Sequence, residues 1–224
     1  MMFSKLPTSV RIDGIDYPVN SDFRIFVEFD EMIKEPTLTK EQKDFADELL
    51  KYPGFDRKKA ELLTKYNSGL ALFYQEIPDN LEKAMEKLIW FYQCGDHPEV
   101  EGKSSKNQKP IYSFRYDMEY IYAAFLEYGI DLYDIEYLHW WKFFSLFTCL
   151  KESSMIVKIM GYRAADLKDM DGEQKKFYKQ MKEAYKLPYD DISKEEREYQ
   201  DQITQALLNL SLIHISEPTR LDVI

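Results

Sequence analysis

Residues 137–150, YLHWWKFFSLFTCL, narrow the possible folds more than any other part of this chain. The segment is apolar around nearly its whole helical circumference, so it is expected as a helix buried by its neighbours, with no free polar face. It falls short of the roughly 18 apolar residues that a membrane span needs. The cover for it must therefore come from the rest of the chain, and the rest of the chain reads mostly as helices that carry one apolar face each.

The one exception is at the start. Val10, Arg11 and Ile12 alternate, Asp13-Gly14 is a type I′ turn signal, and Ile15, Asp16 and Tyr17 return to Pro18. This predicts a hairpin, which as an isolated two-stranded ribbon has to pack on something else. Ser21 is placed to cap a helix to about Lys34, with Phe23, Phe26, Val27, Asp30 and Ile33 along one face and Pro36 as the stop. Thr39 caps a second helix carrying Phe45, Leu49 and Leu50, closed by Pro53-Gly54. Residues 57–75 give a weaker helical pattern with a break predicted near Asn67-Ser68-Gly69. Asp79 with Glu82 makes a capping-box pattern for a helix bearing Leu81, Met85, Leu88, Ile89 and Tyr92, which Gly95 ends.

Residues 95–112 are polar and aperiodic and are read as a linker or loop between an N-terminal part, 1–94, and a C-terminal helical half, 113–209. In that half Asp117 leads a helix with Tyr120, Ile121, Ala124, Phe125 and Tyr128, ended by Gly129. The aromatic segment follows, then a short helix from Met155 to a stop at Gly161. A helix near Gly172 to Leu187 carries Phe177, Met181 and Tyr185, and a last one opens on Ser193 and Glu196. The expected fold is mainly α: a helical bundle-like domain with a short N-terminal β-hairpin. Residues 210–220, LSLIHISEPTR, look like a translated sequencing adapter. Residues 210–224, His214 included, are therefore set aside, and the natural C-terminus is expected to differ.

Composition excludes several roles. A net charge of -10 argues against nucleic acid and against an anionic membrane surface, since both need a positive footprint. No N-terminal pattern resembles a secretory signal. Two cysteines are too few for a disulfide framework, which fits reduced thiols in a cytoplasm. Aromatic residues make up 15% of the chain, which suits an aromatic core or a protein-binding surface.

Motifs for chemistry are weak. Gly102-Lys103-Ser104 matches the end of a phosphate-binding loop, but His97 stands where that motif needs a glycine. Asp169-Met170-Asp171-Gly172 is similar to a calcium loop, but Leu167 and Tyr178 fill positions that need oxygen ligands, so a helix-start turn is expected. Cys94 and His97 have a zinc-like spacing without a second pair. His139 lies in a packed segment, as a hydrogen-bonded core or edge residue does, with no recognisable nucleophile for it to serve. No catalytic residue, cofactor or metal is expected, and the chain is not expected to be an enzyme.

Five segments in order carry a resemblance: IDGIDYPVNSDFR, LEKAMEKLIWFYQCG, DMEYIYAAFLEYGIDL, LHWWKF and IMGYRAADL. Together they resemble a small bacteriophage tail-module family of Gram-positive siphophages and prophages over roughly residues 8–190, with LHWWKF and MGYR the most specific parts. The resemblance implies a gene near that of the tape measure and the role of a tail assembly chaperone in the host cytoplasm. It would bind the tape measure or tail tube protein and be absent from the virion. The alternative is a minor structural component retained in the tail. The partner is then a protein, with self-association a further possibility and neither nucleic acid nor membrane involved. The resemblance brings no catalytic residues. Trp140, Trp141, Phe144 and Tyr162 are the candidate protein-binding residues, each of which is also a candidate for the core.

Overall fold

The computed structural model describes residues 5–35, 37–95, 110–168, 170–188 and 193–209. His97, Gly102-Lys103-Ser104, Pro36, Asp169 and the adapter-like tail with His214 lie outside them. Among the described residues the elements are β1 (Ser9–Ile12), β2 (Ile15–Pro18), α1 (Phe23–Lys34), α2 (Lys40–Leu49), α3 (Arg57–Phe73), α4 (Leu81–Tyr92), α5 (Phe114–Leu126), α6 (Trp140–Thr148), α7 (Met155–Ala164), α8 (Gly172–Ala184) and α9 (Lys194–Asn209). The class is mainly α with one short antiparallel hairpin, as the patterning predicts. Two compact units are formed. The first comprises Met1–Pro7, Ser21–Glu31 and Tyr92–Ile192; the second comprises Thr8–Asn20, Met32–Phe91 and Ser193–Ile224.

In the second unit, Asp13 (φ 49°) and Gly14 (φ 88°) supply the two positive angles of the hairpin turn. The register pairs Ser9 with Pro18 and Ile12 with Ile15. The ribbon's support is the end of α3. The Asn20 amide donates to the Phe73 carbonyl at 2.8 Å, and the Asn20 side chain donates to the Leu72 carbonyl at 2.8 Å. These are terminal helix carbonyls, which otherwise lack partners. At its turn, Asp13 pairs with Lys83 and accepts from Asn80.

α3 runs unbroken where a break is predicted. Leu62, Tyr66, Leu70 and Phe73 form a buried stripe, and Gly69 is buried among them. Burial of that stripe overrides the low helical propensity of the Asn-Ser-Gly run. α4 begins one residue later than the Asp79 reading. Asn80 is the cap, with its side-chain oxygen accepting from the Lys83 amide at 3.2 Å. Thr39 and Gln42 form a reciprocal capping box at the start of α2, which buries Ala46 and Leu49 beside Ala60 of α3. The buried Lys65 ammonium donates to the carbonyls of Glu35 at 2.9 Å and Ile33 at 3.3 Å, at the end of α1. Burial lowers its pKa to about 8.

In the first unit, Asp22 rather than Ser21 caps α1, accepting from the Arg24 amide at 3.0 Å. The Ser21 hydroxyl instead lies 2.7 Å from the Tyr137 hydroxyl. The approach to α1 pairs with the approach to α6: Phe23 N donates to Leu138 O, and Trp140 N to Ser21 O, both at 2.8 Å. α5 starts on Ser113, one turn before the predicted Asp117. α7 continues through Gly161, which is exposed in mid-helix, so the predicted stop there is not used. Within this unit α7 packs on α5 and on α8. Phe23, Phe26, Phe29, Phe114, Phe125, Trp140 and Phe143 are all buried.

Candidate functional site

α6 presents the aromatic segment, and its entry is set by His139. The Trp141 amide donates to His139 Nδ1 at 3.0 Å, so Nδ1 is the acceptor nitrogen. The proton is then on Nε2, which donates to the Pro7 carbonyl at 2.9 Å. Burial holds the imidazole's pKa below its ordinary value. Both ring nitrogens are engaged in capping and tethering, which is the hydrogen-bonded core role read from the sequence.

With the cap in place, successive residues of α6 face different surroundings. Trp140 is buried at 1% exposure and stacks between rings: Phe26 at 5.2 Å and Tyr92 at 5.9 Å between centroids. Its indole N–H donates to the Tyr92 carbonyl at 2.8 Å. The Tyr92 hydroxyl in turn donates to the buried Asp30 carboxylate. Phe143 and Phe147 complete the buried face. The expectation of a helix with no polar face is corrected here: Lys142, Ser145 and Thr148 form an exposed strip. The lysine and the two hydroxyl residues recur at three-residue spacing, which puts them on one side of the helix.

Trp141 is only half-buried. It lines an open groove of about 480 Å³ together with Leu6, Cys94, Leu138, Lys142 and Leu146. Gly95 makes room for its ring, since a Cβ there would sit 3.2 Å from the indole. Phe144 is half-buried and its ring lies 5.3 Å from that of Trp140. Tyr162 lies on α7 in a separate cluster with Phe177, Tyr178 and Tyr185. The four candidate residues are thus distributed: Trp140 in the core, Trp141 on a groove, Phe144 beside the core and Tyr162 against α8.

Burial pushes the Cys94 thiol up to about 12, so it is protonated at neutral pH. Asp171 caps α8, accepting from the Gln174 amide at 2.8 Å, so the Asp-Gly turn starts a helix. Among the described residues no group of three or more His, Cys, Asp or Glu is placed to hold a metal ion. No helix among them is long and apolar enough to cross a membrane.

A buried ion pair, which no sequence motif marks, joins α5 and α7. Arg163 makes a two-pronged contact with Asp117, at 2.6 and 2.9 Å, with side-chain exposures of 8% and 2%. The same guanidinium donates to the carbonyls of Tyr185 at 2.7 Å and Ile111 at 3.1 Å. It therefore ties α5, α7 and the end of α8 together. Arg163 is the arginine of the MGYR segment. A signal for the pair existed: Asp117 shares the apolar stripe of Phe114, Ile121 and Ala124, where an acid needs a buried partner.

A family model described as Bacteriophage Gp15 protein matches residues 2–187. No curated protein and no solved structure matches the chain.

Proposed function

The chain belongs to the Bacteriophage Gp15 protein family, and from that premise we propose that it is a tail assembly factor. In this reading it is a chaperone that binds the tape measure or tail tube protein while a siphophage tail is built. Its work is binding, not catalysis. The observation that carries the reading is Trp141, a large aromatic side chain left half-exposed on an apolar groove. Grooves of this kind accept the apolar face of a helix, and a tape measure is a long helical chain with such faces to shield. A net charge of -10 supports the role, because self-repulsion keeps the loaded protein in solution. The host cytoplasm is the place where such a factor acts.

The test is quantitative mass spectrometry of purified particles against infected-cell lysate, in a culturable phage encoding a family member. The protein is expected to be abundant in lysate and absent from particles. A fixed copy number per particle would refute the chaperone reading and make the protein a minor structural component of the tail.

A further inference from the structure

Trp141, Lys142, Ser145 and Leu146 line the groove from one side of α6, and Leu138 extends the line just ahead of the helix. Counted from Leu138 the offsets are 3, 4, 7 and 8, the spacing at which one helix offers a face to another. The line covers about 12 Å, or two turns. We infer that the groove seats an acidic amphipathic helix of a partner protein: a helix with apolar anchors and, beside them, a carboxylate that meets Lys142. The inference rests on the binding role proposed above and gives the partner its chemistry.

Charge supplies the first argument. Lys142 is the one charged residue in the lining, and it is exposed. Among the described residues no ion pair engages its ammonium. The remaining lining is Leu6 and Cys94, whose thiol stays protonated at neutral pH. A single cation set into an otherwise neutral, mostly apolar lining selects an apolar ligand with an anionic group at its edge. Trp141 is the aromatic anchor around which such contacts concentrate their binding energy.

Backbone chemistry supplies the second. The wall is a helix, whose own amides and carbonyls are bonded along its length, so an extended segment finds no strand edge there to pair with. A helix satisfies its own backbone and brings only side chains, which is what this lining can receive. A second copy of this chain is a poor occupant. A symmetric contact would set groove against groove and bring two Lys142 side chains together, and a concave surface does not fill itself.

The test titrates the full chain into labelled helical peptides and follows fluorescence anisotropy. The probe is an alanine-based peptide with leucine at i, i+3, i+4 and i+7 and one glutamate flanking that stripe. Two further peptides carry glutamine or lysine in place of the glutamate. The glutamate peptide is expected to bind about threefold more tightly than the glutamine peptide, in line with an exposed ion pair, and the lysine peptide more weakly than either. Raised salt should shrink the difference. Lys142→Glu should reverse the order, so that the lysine peptide binds best. Lys158→Glu makes the same change of charge at an exposed position of α7 that does not line the groove, and should keep the order. Equal affinity for the three peptides, binding of none, or the same reversal by Lys158→Glu overturns the proposal. So does a Trp141-dependent dimer in sedimentation, which would make a second copy the occupant. None of these results alters the copy number in purified particles, on which the tail-assembly reading stands or falls, so the two can fail separately.

Discussion

Trp140 and Trp141 are adjacent in sequence and opposite in environment, and their substitutions should separate stability from binding. Trp140→Ala removes a stacked, fully buried ring and should cost about 3–5 kcal/mol in urea unfolding. Trp141→Ala should cost much less and instead abolish capture of the partner. Equal losses of stability would place Trp141 in the core and remove it from the groove reading. Arg163 makes a third case. Arg163→Met strands the Asp117 carboxylate in the interior, with an expected loss of about 3–5 kcal/mol. Arg163→Lys should rescue little of it, because an ammonium cannot match a fork that meets both carboxylate oxygens and two carbonyls. His139 links stability to pH. Its folded pKa lies below the ordinary 6.5, so on acidification the unfolded chain takes up the proton first. Stability from this group is fully present above pH 6.5 and falls as pH drops through that value. His139→Asn keeps a side-chain acceptor at the cap and should flatten that part of the profile, as read from urea midpoints across the acid range.

At the level of elements, two glycines with different geometry make opposite predictions. Gly161 sits within α7 with nothing within 4 Å of an added Cβ. Gly161→Ala should raise stability by about 0.5–1 kcal/mol, since the helix no longer has to order a glycine. Gly95 has φ +95° and faces the Trp141 ring, so Gly95→Ala should lower stability on both counts. Thermal melts of the two variants check both signs. The same contrast explains why Gly161 does not end α7. A glycine marks a helix end only where the chain turns left-handed, as at Gly95 and Gly129 (φ +74°). Gly161 has no such angle, and residue type alone does not report it. Caps behaved similarly. Thr39, Asp171 and Ser193 take the helix-start positions that their local patterns indicate, whereas Ser21 and Asp79 yield to neighbours one residue on. In the case of Ser21 the reason is tertiary: its hydroxyl is taken by Tyr137, well over a hundred residues away.

For the whole molecule, charge sets the conditions under which the protein stays dispersed. At a net charge of -10 like charges keep copies apart at neutral pH, and that repulsion vanishes near the sequence pI of 4.9. Light scattering should show dispersed protein at neutral pH and growing association as pH approaches that point. Association at neutral pH, independent of salt, would instead indicate a specific self-contact.

By itself the sequence determined the helical class, the hairpin with its Asp13-Gly14 turn, and most element positions. These follow from periodicity and from residues whose backbone preferences act locally. It also pointed to a bacteriophage family, since five ordered segments were enough for that. The tertiary structure decided the rest. It put Trp140 inside and left Trp141 on a groove, although both are tryptophans on one helix, because a rotation of about 100° per residue separates their directions. It carried α3 through Asn67-Ser68-Gly69 by burying the stripe on either side. It paired Asp117 with Arg163 across 46 residues of chain, and set Lys65 against the end of α1. Local preference chooses the elements, but only packing at a distance decides which side chains are covered and which stay in solvent.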